Sequence, residues 1–196
     1  MNDKDDVFSR DAAALRQSIN DRSSLVLCSR DFDEEVDDCK VVVSNLAGAA
    51  GIVVHDTLVF VSSMLRQSVL VFDMNFDSAG MVTSLTLRQS IPVPASPEGM
   101  WVDEQSGDIL VTLHQDVNRL IAHRRGEEVA LPTSTLVIQR HRTASIGNAK
   151  FDVQVVLNHE SGQDLRAGST VSRVDEGIVV GSADNAGLLI CPALAA

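Results

Sequence analysis

The chain of 196 residues contains no tyrosine and a single tryptophan, and aromatics make up only 4% of it. Its interior must therefore be filled by aliphatic side chains, and the many β-branched valines among them suit strands. Hydrophobic residues, at 44%, are sufficient for a core. Basic residues are also scarce: 16 Lys and Arg stand against 27 Asp and Glu, for a net charge of −11. Nucleic-acid binding needs Lys and Arg on the phosphates, so this balance argues against it, and against an anionic membrane surface. Clustered carboxylates attract cations, but a solvated acidic surface is the favoured reading.

Long apolar runs are lacking as well; none approaches the roughly 20 residues of a membrane span. The first residues, MNDKDDVFSR, lack the basic and apolar regions of a signal peptide. There is no Asn-x-Ser/Thr acceptor. As written, the chain is expected in the cytoplasm; a truncated N-terminus would leave secretion or membrane association open. Cysteines number three, Cys28, Cys39 and Cys191, and an odd count leaves one unpaired. Cys28 ends one predicted strand and Cys39 starts the next, so they can face each other across a hairpin. Buried or partly buried free thiols are favoured over a disulfide.

What the sequence does contain is one phrase repeated. GIVVHDTLVFVSS (51–63) and PEGMWVDEQSGDILVTLH (97–114) each open on a short apolar strand after Gly, turn on acidic residues, and continue in a stronger apolar strand. A third version is STVSRVDEGIVVGSADNAGLLICPAL (169–194). A supersecondary unit too small to bury its own face, repeated along a chain, indicates a stacked or radial β architecture. Short strands at close spacing with Asp/Gly/Ser turns favour a propeller. The expected fold is all-β: part of a β-propeller forming one domain over 1–196, with no internal linker.

Taken in order, 1–22 is polar, with one short helix possible in DAAALRQSI. Ser24–Cys28 and Cys39–Val43 read as outer strands of a blade, joined by the charged RDFDEEVDD. The first full unit has strands at Ile52–Val54, Leu58–Ser62, Ser68–Phe72 and Val82–Leu87. Ile91-Pro92-Val93-Pro94 is extended and returns the chain inward. The second has strands at Met100–Val102, Ile109–Leu113, Leu136–Gln139 and Val153–Leu157, with Gly107 at a left-handed turn position. Val117, Leu120 and Ile121, spaced by three and four, predict a short helix capped near Asp116. A final partial unit runs from Ser169 to Cys191. Two whole blades and a partial one at each end make about half of a ring, since the smallest propellers have about four blades. Such an arc leaves open faces and edges. Two copies associate, an upstream half completes the ring, or the product is unstable.

At three segments the chain resembles the paraoxonase/arylesterase family, six-bladed propellers that hydrolyse lactones and aryl esters with calcium on the central axis. SLVLCSRDF…CKVVVSNLAGAAGI is similar to the family's strand pair and Ala-Asn-Gly-Ile signature. PEGMWVDEQSGDILVTLH is similar to its Asp-Asn-Ile-Ser-Val-Asp…Gly-Asp-Leu-Trp-Val…His segment. AGSTVSRVDEGIVVGSADNAGLLIC is similar to its C-terminal Gly-Ser-Thr-Val…Leu-Tyr-Cys. The resemblance spans essentially the whole chain and corresponds to the C-terminal half of the family.

The resemblance also assigns a calcium site. It places Asn2 at a ligand of the catalytic ion and Asp3 at one of the structural ion. Ala50 stands where the family has a ligand Asn, Glu98 where it has Asp, and Gly99 where it has Asn. A hard dication takes about six to eight oxygens. Losing them weakens both binding and Lewis acidity, so the chain alone is expected not to hydrolyse esters. His114 matches a family His at the mouth of the axial pocket, with Gln115 in place of the usual Pro. The favoured reading of His114 is a hydrogen-bonded structural residue. Cys191 matches a family Cys whose N-terminal partner is lacking here, which implies a free or intermolecularly paired thiol.

Other chemistries find no support. There is no Gly-x-Ser-x-Gly elbow or phosphate-binding Gly-rich loop. The acidic residues Asp31, Asp33, Glu34, Glu35, Asp37 and Asp38 lack EF-hand order and read as a solvated loop. His55 is expected exposed in a turn, and His123, His141 and His159 show no metal spacing. Two functions are expected, then: a paraoxonase-like calcium-dependent esterase or lactonase acting on a small ester or lactone once complete, or a non-catalytic propeller module that associates with itself or with a missing half. Kinship to the gluconolactonase or strictosidine-synthase-like propellers is a third reading, ranked below these for His114 and Cys191.

Overall fold

A computed structural model of the chain describes residues 23–29, 38–115, 117–127, 131–140, 151–159, 168–175, 177–182 and 188–191. Asn2, Asp3, the predicted N-terminal helix, the acidic stretch 31–37, Asp116, His141 and the turn at 183–185 lie outside the described residues.

The described chain is all-β with one short helix, and its strands form antiparallel sheets taken strictly in chain order. A hairpin pairs β1 (Leu25–Ser29) with β2 (Asp38–Val43). The first four-stranded sheet contains β3 (Ala49–His55), β4 (Leu58–Ser63), β5 (Ser68–Phe76) and β6 (Val82–Pro92). The second contains β7 (Ser96–Val102), β8 (Ile109–His114), β9 (Thr133–Arg140) and β10 (Phe151–His159). Helix α1 (Val117–Arg124) connects β8 to β9, and its Leu120 packs with Leu131 and Met64. A third sheet contains β11 (Gly168–Val174), β12 (Gly177–Ser182) and β13 (Leu188–Cys191). The helix is far shorter than the roughly 20 residues of a span; no helix among the described residues is long and apolar enough to cross a membrane.

Alternation of side chains along each strand explains the layering. In β4 and β5, Leu58, Phe60, Val69 and Val71 point one way, onto Ile109, Val111, Leu113, Leu136 and Ile138 of the second sheet. Their neighbours Val59, Val61, Leu70 and Phe72 point the other way, onto Leu25 and Val43 of the hairpin. The second sheet repeats this: Leu110, Val137 and Trp101 meet Val171, Val180, Ile178 and Leu189 of the third. Central strands buried on both faces read as continuous apolar runs, and β4 and β8 are buried along their whole length.

The first strand of each sheet carries the same irregularity. Between Ala49 and Ile52, Pro97 and Met100, and Gly168 and Thr170, it holds one residue more than the strand it pairs with. These three β-bulges place Ala50, Glu98 and Ser169 at equivalent positions, two residues before the matched pairs Ile52–Val61, Met100–Val111 and Val171–Val180. Bulges interrupt alternation, which is why the periodic pattern marks only Ile52–Val54 and Met100–Val102 of strands that run Ala49–His55 and Ser96–Val102. Likewise β6 continues to Pro92, because an edge strand needs no donor from proline.

Cys28 and Cys39 form a disulfide, which corrects the expectation of free thiols. The hairpin register sets the two residues directly opposite one another, with Cα atoms 4.1 Å apart.

Candidate functional site

The bulges gather the candidate residues. The first strands of the successive sheets, β3, β7 and β11, approach one another closely there, and glycine permits it. A Cβ on Gly51 would lie 2.4 Å from the carbonyl oxygen of Glu98, and one on Gly99 would lie 1.9 Å from that of Ser169. The Ser62 hydroxyl accepts from the Gly51 N–H at 2.6 Å and donates to the Glu98 carbonyl at 2.7 Å, tying the first sheet to the second. Thr112, in the equivalent place on β8, accepts from the Gly99 N–H at 2.9 Å. These hydroxyls satisfy backbone groups that the bulge removes from the ladder.

Glu98 reaches from its bulge to the last residue of β8, where its Oε2 is hydrogen-bonded to Nε2 of His114. His114 is fully buried and the Glu98 side chain is 13% exposed. A carboxylate only accepts, so Nε2 carries the proton. His114 Nδ1 has no hydrogen-bond partner among the described residues. Beside this pair runs an open groove of ≈ 310 Å³, lined by Pro94, Ala95, Leu113, Gln115, Ser134 and Asn158. The Ser134 hydroxyl donates to Asn158 Oδ1 at 2.7 Å across its wall. His114, having no exposed surface, adds nothing to that wall.

At the opposite ends of the inner hairpins the turn Asp103–Asp108 sits between the first and third sheets. Gly107 takes the left-handed conformation expected of it, φ +76°, and a Cβ there would lie 2.8 Å from Nε2 of His55. His55 is therefore covered, its side chain 15% exposed, with Nδ1 3.8 Å from Glu104; the expectation of an exposed turn residue is corrected by this packing across the seam. Arg173 of β11 donates to Asp103 Oδ2 at 2.7 Å. Burial acts to raise the Asp103 carboxyl, but hydrogen bonds from the Gln105 and Ser106 N–H groups and from Arg173 outweigh it and hold the group below its usual range. Burial pushes the Cys191 thiol up, and it is unpaired.

The donors among the described residues do not fit a calcium ion. Ala50 offers no side-chain oxygen, and the carbonyl of Ser169 closes the space that a side chain on Gly99 would need. Glu98 spends an oxygen on His114. No group of three His, Cys, Asp or Glu among the described residues is placed to hold a metal. The Glu98–His114 contact joins two residues that the resemblance assigned to separate roles. The signal available in sequence was their shared apolar surroundings at the two ends of one hairpin.

Three antiparallel sheets, each bulged in its first strand, make this an all-β protein built by repetition. Within it, a family model described as Arylesterase matches residues 32–190. The chain belongs to the arylesterase family. It is also similar to the Mechanosensory abnormality protein 6 of Caenorhabditis elegans, with 27% identity over 125 residues. That match covers 64% of this chain and 31% of the relative.

Proposed function

We propose that this chain is an arc of a six-bladed β-propeller of the paraoxonase/arylesterase type, and that it works as a component of a ring and not as a self-sufficient hydrolase. The observation that carries this reading is that both end sheets are apolar on two faces, with one face of each uncovered. In the β1–β2 hairpin, Leu25 and Val43 pack on the first sheet, while Val26 and Val41 are 54% and 62% exposed on the other side. In the third sheet, Ile178 and Leu189 pack on the second, while Leu188 and Ile190 are each 68% exposed. An antiparallel sheet meant to face water alternates apolar with polar; β1, β2 and β13 do not. The seams between the chain's own sheets indicate what kind of surface suits such a face: another sheet.

In this reading ester or lactone hydrolysis, the family's reaction with calcium on its axis, belongs to the complete ring. Asn2 and Asp3 are the residues that the resemblance would contribute to it, Glu98 being engaged by His114. The ring is completed either by a second copy or by a chain carrying the remaining blades. The relative from C. elegans is named for a mechanosensory abnormality and not for a reaction, which accords with a module as readily as with an enzyme.

The test joins sedimentation across a concentration series with aryl-ester and lactone assays in calcium and in chelator. The expected outcome is no turnover by the chain alone, and association with itself or with the complementary blades. Calcium-dependent turnover by a monomer overturns the proposal. Family membership favours the hydrolase as the second reading, and that same result would establish it.

A further inference from the structure

We infer that Glu98 and His114 form a buried lock that holds the hub of this chain where its relatives use a metal ion. The inference rests on the reading of the chain as a propeller arc only for the meaning of hub; the contact itself is a property of one sheet.

The lock closes where the ladder is broken. The bulge between Pro97 and Met100 removes regular pairing between β7 and β8. The Glu98 side chain spans that gap to His114, whose partner in register is Ser96. In the Nε2–H tautomer His114 donates to Glu98 and leaves its buried Nδ1 as an acceptor with no partner among the described residues.

The first sheet supplies an internal control. Its bulge holds Ala50 at the place of Glu98, and Met64 occupies the place of His114, donating its backbone N–H to Gly48 as β4 ends. Met64 packs against Leu120 and Leu131. On the same backbone, the chain thus has two apolar residues once, Ala50 exposed and Met64 half-buried, and a carboxylate–imidazole pair once. The contact between the carboxylate and the imidazole explains why both residues change together between the sheets. Gly99 fits the same picture, since the Ser169 carbonyl occupies the space from which a side chain there would offer a donor.

The experiment compares the full chain with H114M, E98A and E98A/H114M by thermal unfolding in calcium and in chelator, with nitrogen NMR of the His114 ring. The wild-type chain is expected to melt at the same temperature in both buffers, and the ring to show the Nε2–H tautomer, unchanged by calcium. H114M is expected to melt several degrees lower, and E98A/H114M, which installs the first sheet's pair, to regain most of that loss. Should H114M not fold, folding of E98A/H114M with a melt near that of the wild-type chain supports the lock in its place. Calcium raising the melt of the wild-type chain but not of E98A overturns the inference. So does E98A/H114M melting no higher than H114M, or failing to fold. A calcium effect that E98A leaves intact places the ion elsewhere and supports it. Ester turnover in chelator would sink the proposed function and leave the lock standing.

Discussion

The sheets β3–β6 and β7–β10 share one frame and differ at one corner. Both have a bulge in the inner strand, a glycine at its close approach, and a hydroxyl from the neighbouring strand that caps the bulge. At the corner, one has Ala50 and Met64 and the other has Glu98 and His114. The bulge, glycine and hydroxyl therefore belong to the fold, because both sheets need them. The carboxylate and imidazole are an addition to one copy. Replacing a buried polar pair by apolar residues is commonly neutral or stabilising, whereas removing one partner leaves a buried polar group unsatisfied at a cost of about 1–3 kcal/mol. The Glu98–His114 corner is therefore self-consistent only with both partners in place.

Tests of this comparison fall in order of expected effect. Gly99→Ala sets a methyl 1.9 Å from a backbone carbonyl that cannot rotate away. It should cost about 3 kcal/mol or more by denaturant unfolding. Gly51→Ala, at 2.4 Å from its carbonyl, should cost less, and equal costs would mean that the two seams do not differ in tightness. Next, C28S/C39S opens a loop of sequence separation 11 in the edge hairpin. Loop-closure entropy gives about 3 kcal/mol. Loss of the hairpin without loss of the sheets would be visible as two transitions by circular dichroism.

Smaller still, R173M removes the tie from the third sheet to the turn of the second. Both side chains are partly exposed, so about 1 kcal/mol is expected. The Asp103 carboxyl titrates below its unfolded value, so its contribution is complete above about pH 4 and is lost as pH falls through the folded pKa. R173M should flatten that acid limb of stability against pH; an unchanged limb would show that the turn's own N–H groups carry the effect. Least of all, L188S/I190S should leave the unfolding of the monomer within about 0.5 kcal/mol while abolishing any self-association, because these side chains are mostly exposed within the chain. Association that survives the change would move the contact to another face.

Much of the fold was legible because apolar runs in β4, β5, β8 and β12 end at turn residues, and the repeated Gly-Ile, Gly-Met and acidic-turn phrases set a period. Helix α1 showed itself through Val117, Leu120 and Ile121 in the same way. The hidden parts are those where local pattern and local structure part company. Pro97, Glu98 and Gly99 are a poor strand by propensity and become one only because a neighbouring sheet covers them. The disulfide depended on which residue of β2 faces Cys28, a matter of register that the charged connection between them does not reveal.

From its residues alone the chain determined strands, their order, their two-faced burial and the positions of its glycines, all of which are local consequences of side-chain alternation and backbone sterics. Only the packed sheets decided that Glu98 turns to His114, that Ser169 closes the space beside Gly99, and that His55 lies beneath the Gly107 turn. Those contacts join residues far apart along the chain, and they depend on the few tenths of an ångström that separate one seam from the next.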